Sequence, residues 1–479
     1  MANSRGKISR EMNKIFANSV ENYLEVHKLA FKFVDGFDPN SNRNDITKIR
    51  EIENKVLHAT MLKDRHGMLM AVIPASHLLN LQALNHLLER DLVPVHFNEL
   101  KTILFGCNTG MCPPLPDIYG TDVVFDHSIE YMPKGEIYFS SGVKNKYVKM
   151  DLEDFKKLHS NINYEIFSEP VSELTSAWEG LSPNQAEDVI KNFVHKRMKG
   201  RIKEIKEFPA MPPLAEAILQ LRIDESATAK DLAAIIERDP SLSAQVMAWS
   251  RSAFYGYKGE VTTVEEAIVK VLGFELVMNL VMCICVGKSL HMPIHGPIGL
   301  TETWRTGLYV SVIVDTIVKI MPPEKRPKKG YAFLAGLVHN FGYLLLGHVF
   351  PKQFDLLNNM LSCNTHIPVT KVEQHTLGVS HEHLGMWLMK QWNLPDEVVS
   401  AICGHHREDF INEHKVYANL ILIALRLLKR HNIGDEKVIE IPDELVQELG
   451  IDMADLNNVL EQVMLKKDDL DDLISCLLK

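Results

Sequence analysis

The chain has 479 residues, of which 46% are hydrophobic and 24% are charged, a composition typical of a globular protein with about three domains' worth of length. This composition excludes a disordered, collagen-like or small disulfide-stapled protein. The 62 acidic residues outnumber the 52 Lys and Arg residues, and the resulting formal charge of -10 argues against attraction of the whole molecule to nucleic acid or to anionic membranes.

Seven cysteines without a C-x-x-C pair predict neither a zinc ribbon nor a disulfide framework, and they favour the reducing cytoplasm. The first residues lack the apolar segment of a secretory signal. The most apolar window, 269–290, is interrupted by Lys270, Glu275 and Lys288, so we interpret it as a buried core helix and expect no membrane span.

The N-terminal part of the chain predicts three segments. Residues 1–45 show helical spacing of apolar residues and form a helical arm, either a cap or a contact in a homodimer. Residues 46–165 alternate short β-branched runs with turns and helical stretches, which predicts a mixed α/β domain. Residues 166–207 are interpreted as a linker helix with a basic run at 196–206. The basic run is either a solvated helix face, the preferred interpretation, or a contact with nucleic-acid phosphates.

The remaining chain is helical in pattern. Residues 208–430 form a helical bundle punctuated by Pro and Gly loops, and residues 431–479 form further helices packed on the same bundle. The fold class expected from sequence is therefore a multidomain protein, with a mixed α/β domain followed by an all-α bundle.

Ordered motifs in the helical half resemble a known family. FPAMPPLAEAILQL, IIERDPSLSAQVMAWSRSAFYG, LAGLVHNFGYLLL, LGVSHEHLGMWLMKQWNLP and ICGHH follow the order and spacing of the HDOD family, a branch of the HD superfamily of metal-dependent phosphohydrolases. The resemblance implies a regulatory or scaffolding module that does not hydrolyse phosphoesters.

The metal-ligand positions of catalytic HD relatives map onto this chain only in part. By the resemblance, the first His position is Thr306, the His-Asp pair is His339-Asn340, and the late Asp position is Leu425. Thr, Asn and Leu lack the anionic oxygen that two metal ions require, so we expect no metal and no cofactor. The remaining ligand candidates are His339, His381 and His405 or His406, and three neutral imidazoles would still suffice for one zinc ion.

The N-terminal half resembles the YbaK-type aminoacyl-tRNA deacylase domain over about 50–160, similar in fold to the editing domain of prolyl-tRNA synthetases. The family's G-x-x-x-G loop with a following Pro maps to Gly106, Gly110 and Pro114. The resemblance also places its strand Asp at Asp126 and its late glycine at Gly142. In the family, backbone donors and a positioned water hydrolyse the aminoacyl ester without a metal.

The catalytic Lys position of that family falls on His58, in KVLHATMLKD, and Lys63 lies five residues further along. Because His is shorter and mostly neutral, the replacement is not conservative. The pocket is then a deacylase site, a binding site for an amino-acid-like ligand or a tRNA end, or a purely structural element.

These observations lead to one main hypothesis and two alternatives. The main hypothesis is a bacterial signal-transduction protein with a non-hydrolytic HDOD scaffold, an editing-like binding domain and a signalling protein as partner. The first alternative is an aminoacyl-tRNA deacylase with a helical appendage, and the second is a metal-dependent phosphohydrolase of the HD type.

Overall fold

The computed structural model describes residues 20–35, 54–95, 99, 112–143, 146–159, 164–171, 211–224, 226–294, 296–436 and 440–477. The chain divides into two compact units. The first unit comprises 1–176 together with 359–376, and the second comprises 177–358 together with 377–479. The predicted linker helix and its basic run lie outside the described residues.

The first unit is built on a mixed sheet. Its strands are β1 Phe31–Asp35, β2 Val56–Asp64, β3 Gly67–Pro74, β4 His77–Leu79, β5 Val93–Pro94, β6 Asp122–Asp126, β7 Glu136–Ser140, β8 Lys146–Asp151, β9 Tyr164–Glu165 and β10 Ser168–Pro170. Eight of them form the main sheet in the order β1-β8-β7-β2-β3-β6-β9, with β5 paired to β2, and β4 pairs with β10 in a small second sheet.

The centre of the main sheet combines both strand directions. β2 and β3 form an antiparallel hairpin with Leu57 opposite Pro74, while β2 runs parallel to β7 and β3 parallel to β6. Most residues of β2 and β3 are buried, in one continuous run in each strand, as expected for strands covered on both faces. Helices α1 Leu81–Leu88 and α2 Leu152–Leu158 follow β4 and β8 in the chain.

The N-terminal arm differs from its prediction. Residues 20–26 are helical, but Phe31–Asp35 forms strand β1, antiparallel to β8. Phe31 and Phe33 both pack against the core of the first unit. The sheet edge offered by β8 thus overrides the helical spacing read from the sequence, because strand propensity depends on the neighbouring strand.

The second unit is helical throughout its described residues. Its helices are α3 Pro213–Ile223, α4 Ala229–Ile236, α5 Pro240–Ser250, α6 Val264–Ala267, α7 Phe274–Ser289, α8 Leu300–Ile320, α9 Lys329–Val338, α10 Phe341–Val349, α11 Pro351–Cys363, α12 Val369–Leu377, α13 His381–Gln391, α14 Asp396–Gly404, α15 Lys415–Lys429, α16 Asp443–Leu449, α17 Met453–Leu465 and α18 Lys467–Leu477. Residues 359–376, at the end of α11 and over most of α12, belong to the first unit.

Local sequence explains where several of these helices begin. Thr228 and Asp231 form a reciprocal capping box at α4, and Asp239 caps α5 ahead of Pro240, since such side chains satisfy free backbone N–H groups. The mixed α/β and helical fold classes expected from sequence are both confirmed.

The apolar window 269–290 behaves as a core helix. It begins in a π-helical turn, Ile268–Leu272, and continues as α7, in which residues 277–287 are all buried. Among the described residues, one stretch, Gly330–Val349, is long and apolar enough to cross a membrane by length and composition, and 89% of its most apolar window is buried inside the fold. Burial of this kind is typical of core helices.

Candidate functional site

Four histidines converge in the second unit. His339 follows the last residue of α9, His381 is the first residue of α13, and His405 and His406 follow α14. We call these four residues the histidine cluster. His339 and His405 are fully buried, although they come from helices far apart in the chain.

Backbone carbonyls fix the orientation of two of these rings. Nδ1 of His339 lies 2.7 Å from the carbonyl oxygen of Gly336, and Nδ1 of His405 lies 2.8 Å from that of Ile402. A neutral imidazole that donates from Nδ1 carries its lone pair on Nε2. Both rings therefore present an Nε2 acceptor to the interior of the cluster.

The ring nitrogens lie close together. Nε2 of His381 is 3.1 Å from Nε2 of His405. One ligand atom from each of His381, His405 and His406 lies within 4.8 Å of the others. Nε2 of His339 has no hydrogen-bond partner among the described residues.

A carboxylate that the sequence did not predict joins the cluster. Asp435 Oδ2 lies 3.6 Å from Nε2 of His406 and 4.0 Å from Nε2 of His381. It also accepts a hydrogen bond of 3.3 Å from the hydroxyl of Tyr343, whose ring stacks on His381. Asp435 lies in the loop after α15, and no motif pointed to it.

The predicted late Asp position explains why Asp435 was missed. Leu425 is fully buried in α15, and Thr306 is buried in α8. A Cβ atom at Gly434 would approach Leu425 Cδ2 at 3.3 Å and Thr306 Cγ2 at 3.4 Å. Leu425 and Thr306 therefore both lie next to the loop that carries Asp435. Asp435 itself is ten residues beyond Leu425 in the chain.

The charges in this cluster are strongly coupled. Burial alone would lower the pKa of His406, but the carboxylates of Asp435 and Glu436 outweigh burial and raise that pKa well above its usual value. Burial would raise the pKa of Asp435, yet the neighbouring imidazoles, His406 first, hold it well below its usual range. Burial lowers the pKa of His339 to about 4, so this ring is neutral at pH 7.

A small cavity of about 50 Å³ adjoins the cluster, and Thr306, Asn340, Tyr343 and Asp435 are among the residues that line it. Asn340 Oδ1 and Asp435 Oδ1 have no hydrogen-bond partner among the described residues. The cavity is large enough for water and small ions rather than for a nucleotide.

These residues do not fit a pair of bridged metal ions. A two-metal hydrolytic centre needs bridging oxygen ligands, whereas Leu425 has no ligand atom and Asn340 and Thr306 are neutral. The donors of the histidine cluster and Asp435 are imidazole nitrogens with one carboxylate. Single transition-metal ions prefer donors of this type.

The editing-type residues lie in the first unit. His58 is the third residue of β2 and is 6% exposed, so it lies within the strand. Lys63, further along β2, forms an ion pair with Glu99. The structure thus places His58, and not Lys63, in the buried part of the strand.

Two other predicted pocket residues lie on chain segments beside His58. Ala59 forms a bridge with Cys112, two residues before the buried Pro114. Leu57 pairs with Phe139, and β7 then leads into Gly142, which has φ of +79°. That backbone conformation favours glycine. Gly106 and Gly110 lie outside the described residues.

Asp126 has a structural role in its neighbourhood. It ends β6, accepts hydrogen bonds from Ser128, and accepts a 2.9 Å bond from the backbone N–H of Phe167. β3 lies between β6 and β2 in the sheet. The structure therefore does not bring Asp126 together with His58.

Residues 359–376, which we call the inserted segment, pack against this part of the first unit. The ring of His366 lies on the ring of His58, with centroids 3.8 Å apart, and its Nε2 is 3.0 Å from the carbonyl oxygen of His77. The Thr60 hydroxyl donates a 2.8 Å hydrogen bond to the carbonyl of Cys363. Sequence reasoning missed His366, because its position 308 residues from His58 gives no local signal.

Comparisons with known proteins agree with both halves of this description. The family model for the HDOD domain matches residues 208–408, and that for the aminoacyl-tRNA editing domain matches residues 48–158. A crystal structure from Marinobacter aquaeolei VT8, provisionally named a signal transduction protein, is 28% identical with a TM-score of 0.83, and the match covers 96% of this chain and 99% of that one.

Two further relatives match less of the chain. An HDOD domain protein of unknown function from Geobacter sulfurreducens is 18% identical with a TM-score of 0.50 over 61% of this chain and 99% of its own, and it shares the fold. An uncharacterized protein from Treponema pallidum (strain Nichols) is 23% identical over 203 residues, or 42% of this chain. The match spans only 38% of that relative's length.

The two family matches and the architecture of the two units support one assignment. The chain carries a region that matches the aminoacyl-tRNA editing domain (YbaK-like) at residues 48–158, followed by a region that matches the HDOD domain at residues 208–408.

Proposed function

We propose that this chain is a regulatory protein in which the editing-type domain binds an amino-acid-like or tRNA-end ligand and the HDOD domain acts as a non-hydrolytic scaffold. The two domain matches and the name of the Marinobacter relative support a regulatory or HD-like protein in general. The specific roles are our proposal.

One observation carries the proposal: a segment of the HDOD match is built into the editing-type unit. The side-chain amide of Asn364 pairs with the peptide of Leu79 in both directions, accepting from its N–H at 2.7 Å and donating to its carbonyl at 3.1 Å. Asn364 and Cys363 are fully buried. Buried hydrogen bonds of this kind fix a segment in place because breaking them leaves unsatisfied polar groups.

The stack of His366 on His58 connects this segment to the proposed pocket. A ligand that contacts His58 on its stacked face must displace His366 or adapt to it. Since 359–376 continues in the chain into the rest of α11 and into α13, a displacement there alters the conformational equilibrium of HDOD residues. Ligand binding and the state of the scaffold are then coupled, as regulation requires.

The ligand positions of the HD site support the non-hydrolytic scaffold. Leu425 is buried and apolar, and Thr306 and Asn340 add no charge to the cluster. A phosphohydrolase with two metal ions needs several anionic ligands there. We therefore propose that this protein does not hydrolyse phosphoesters.

Hydrogen exchange with a defined ligand tests the coupling. We expect an amide-linked, non-hydrolysable analogue of alanyl-adenosine to bind the full chain and to change amide exchange in 359–376. The His366→Ala variant should change its affinity by about 5- to 30-fold, the effect of about 1–2 kcal/mol for a buried contact. Peptides over α1 serve as the internal control.

Two results would count against the proposal. Ligand binding without any change in 359–376 would remove the coupling, and absence of binding would remove the sensor role of the domain.

A second candidate function is aminoacyl-tRNA deacylation, favoured by the editing-domain match that includes His58. Single-turnover deacylation of a panel of mischarged tRNAs, including alanyl-tRNA(Pro), separates the two functions. Under our proposal no amino acid is released. Release that is lost in both His58→Ala and Gly110→Val would establish the deacylase instead.

The setting of this function is also a proposal. Cys112, Cys283, Cys285, Cys363 and Cys403 are buried free thiols, in keeping with a reducing compartment. We therefore propose a cytoplasmic protein that acts through a signalling partner, with a homodimer through the N-terminal arm as one form of assembly.

A further inference from the structure

A cavity of about 660 Å³ lies in the second unit, and no residue of the histidine cluster lines it. Its walls come from the π-helical turn Ile268–Leu272, the first turn of α7, and parts of α8, α9, α17 and α18. Sites for small molecules usually enclose roughly 300–1,000 Å³. We propose that this cavity binds a small carboxylate with an apolar body, a function independent of the proposed sensor role.

Apolar side chains make up most of the cavity wall. Leu272, Leu308 and Val463 line it and are buried. The ring of Phe254 meets that of Tyr255 edge to face, with centroids 5.0 Å apart, and both rings belong to the wall. Removing apolar ligand atoms from water against such a wall favours binding, so the body of the ligand is apolar.

The two acids of the cavity each have a basic partner. Asp315 and Lys319, one turn apart on α8, form an ion pair of 2.6 Å. Arg222 in α3 reaches the edge of the cavity through a hydrogen bond to Asn279. Burial lowers the pKa of Arg222, and the carboxylate of Glu275 opposes this effect. Neither acid therefore leaves an uncompensated negative charge in the cavity.

Lys466, at the end of α17, supplies a positive charge that is not paired with an acid among the described residues. Its Nζ lies 4.7 Å from the centre of the Phe254 ring and donates a hydrogen bond of 3.2 Å to the carbonyl of Phe254. An ammonium group has three N–H donors, so Lys466 can also bind a carboxylate oxygen. The net charge of these groups thus favours a ligand with one negative charge.

The start of α7 favours the same kind of ligand. Residues 273–276 all line the cavity, and Gly273, at the N-cap position with φ of +87°, adds no capping side chain. The N–H groups of a first helical turn lack partners within the helix and attract negative charge. The preceding π-helical turn is a feature that often accompanies functional sites. A carboxylate is therefore favoured over a cationic head group.

Calorimetry on the full-length protein tests the proposal with two carboxylates of different shape. Decanoate has a flexible chain and 2-naphthoate a flat ring, so the two titrations distinguish aliphatic from aromatic ligands. Decan-1-ol is the neutral counterpart of decanoate. We expect one equivalent of carboxylate to bind, and we expect decanoate to bind more tightly than decan-1-ol.

Matched variants locate the site and test the charge. Lys466→Met should weaken decanoate binding by about 3- to 10-fold, the effect of a partly exposed ion pair, and leave decan-1-ol binding unchanged. Lys467→Met is the control, because Lys467 is exposed and does not line the cavity. Val312→Phe places a larger side chain in the wall and should weaken the binding of both ligands. Circular dichroism confirms that each variant folds.

Three outcomes would overturn the proposal. The first is the absence of saturable binding of either carboxylate to the folded wild type. The second is equal affinity of Lys466→Met and wild type for decanoate, which would remove the role of the charge. The third is equal binding by folded Val312→Phe and wild type, which would place the ligand elsewhere.

Discussion

His159 in the first unit illustrates how burial sets the charge of a single side chain. Its ring packs against Phe125 and Phe155, at centroid distances of 5.1 and 4.8 Å. Burial lowers the pKa of His159 to about 4, partly opposed by Asp117 and by the carbonyl of Pro114. The ring is therefore neutral in the folded protein over the whole physiological range.

This shift predicts an acid dependence of stability. The unfolded chain takes up a proton on this residue near pH 6.5, whereas the folded chain does so only near pH 4. Between these values the unfolded state binds more protons, so stability is complete above pH 6.5 and falls as the pH is lowered. Protonation of His159 should lower the free energy of unfolding by about 1.4 kcal/mol for each pH unit of acidification within this window.

Urea unfolding followed by circular dichroism at pH 7.5 and pH 5.0 measures this effect. His159→Phe should lose less stability than wild type over this interval, because Phe cannot take up a proton. His66→Phe is the control, since His66 is exposed. Equal acid losses in wild type and His159→Phe would show that the ring is not held neutral by burial.

At the scale of elements, glycines set how closely helices approach around the histidine cluster. A Cβ atom at Gly342 in α10 would lie 2.0 Å from the carbonyl oxygen of His381 and 2.9 Å from the backbone nitrogen of Gly385 in α13. Both obstacles are backbone atoms, which cannot rotate away. The close approach of α10 and α13 therefore depends on the absence of a side chain at this position.

Gly342→Ala should separate these two helices and destabilise the second unit by at least about 2 kcal/mol, the cost of forcing atoms into a packed interior. Tryptophan fluorescence in urea reports this unit, because the four tryptophans that the structure describes, Trp249, Trp304, Trp387 and Trp392, all lie within it. The control variant Lys352→Ala shortens an exposed side chain on α11 in the same unit. Its fluorescence transition should equal that of wild type, and an unchanged midpoint in Gly342→Ala would refute the packing argument.

At the scale of the whole molecule, the first unit is built from two segments that are far apart in the chain. The first unit ends near residue 176 and resumes at 359–376, so part of the HDOD match folds with the editing-type domain. The Asn364 side chain pairs with the backbone of Leu79 in β4, and the carbonyl of Cys363 accepts a hydrogen bond from Thr60 in β2. Because these hydrogen bonds are buried, we expect the segment to open with the first unit.

Native-state hydrogen exchange of the Gly342→Ala variant tests this division. The substitution should accelerate exchange in α10 and leave β3 and residues 363–367 at wild-type protection, because regions open as cooperative units. The same comparison in wild type sets the reference rates. If residues 363–367 accelerate together with α10, the segment belongs to the helical unit.

Much of the architecture was predictable from local sequence. The alternation of short apolar strands with turns in 46–165 and the helical spacing after 208 identify both fold classes, because strand and helix periods are properties of neighbouring residues. The ordered motifs around His339, His381 and His405 resemble those of the HDOD family, and the HDOD family model matches residues 208–408. Phe31–Asp35 was mispredicted, since only the edge of β8 makes that segment a strand.

The sites depended on contacts between distant residues. The sequence by itself determined the order of the motifs, and through the two family resemblances it predicts that Leu425, Thr306 and Asn340 stand at ligand positions of an HD centre and His58 at a lysine position. Only the tertiary structure decided that Asp435 enters the histidine cluster and that His366 covers His58. The physical reason is that these pairs are joined by loop geometry and helix packing, which bring together residues with no shared local pattern.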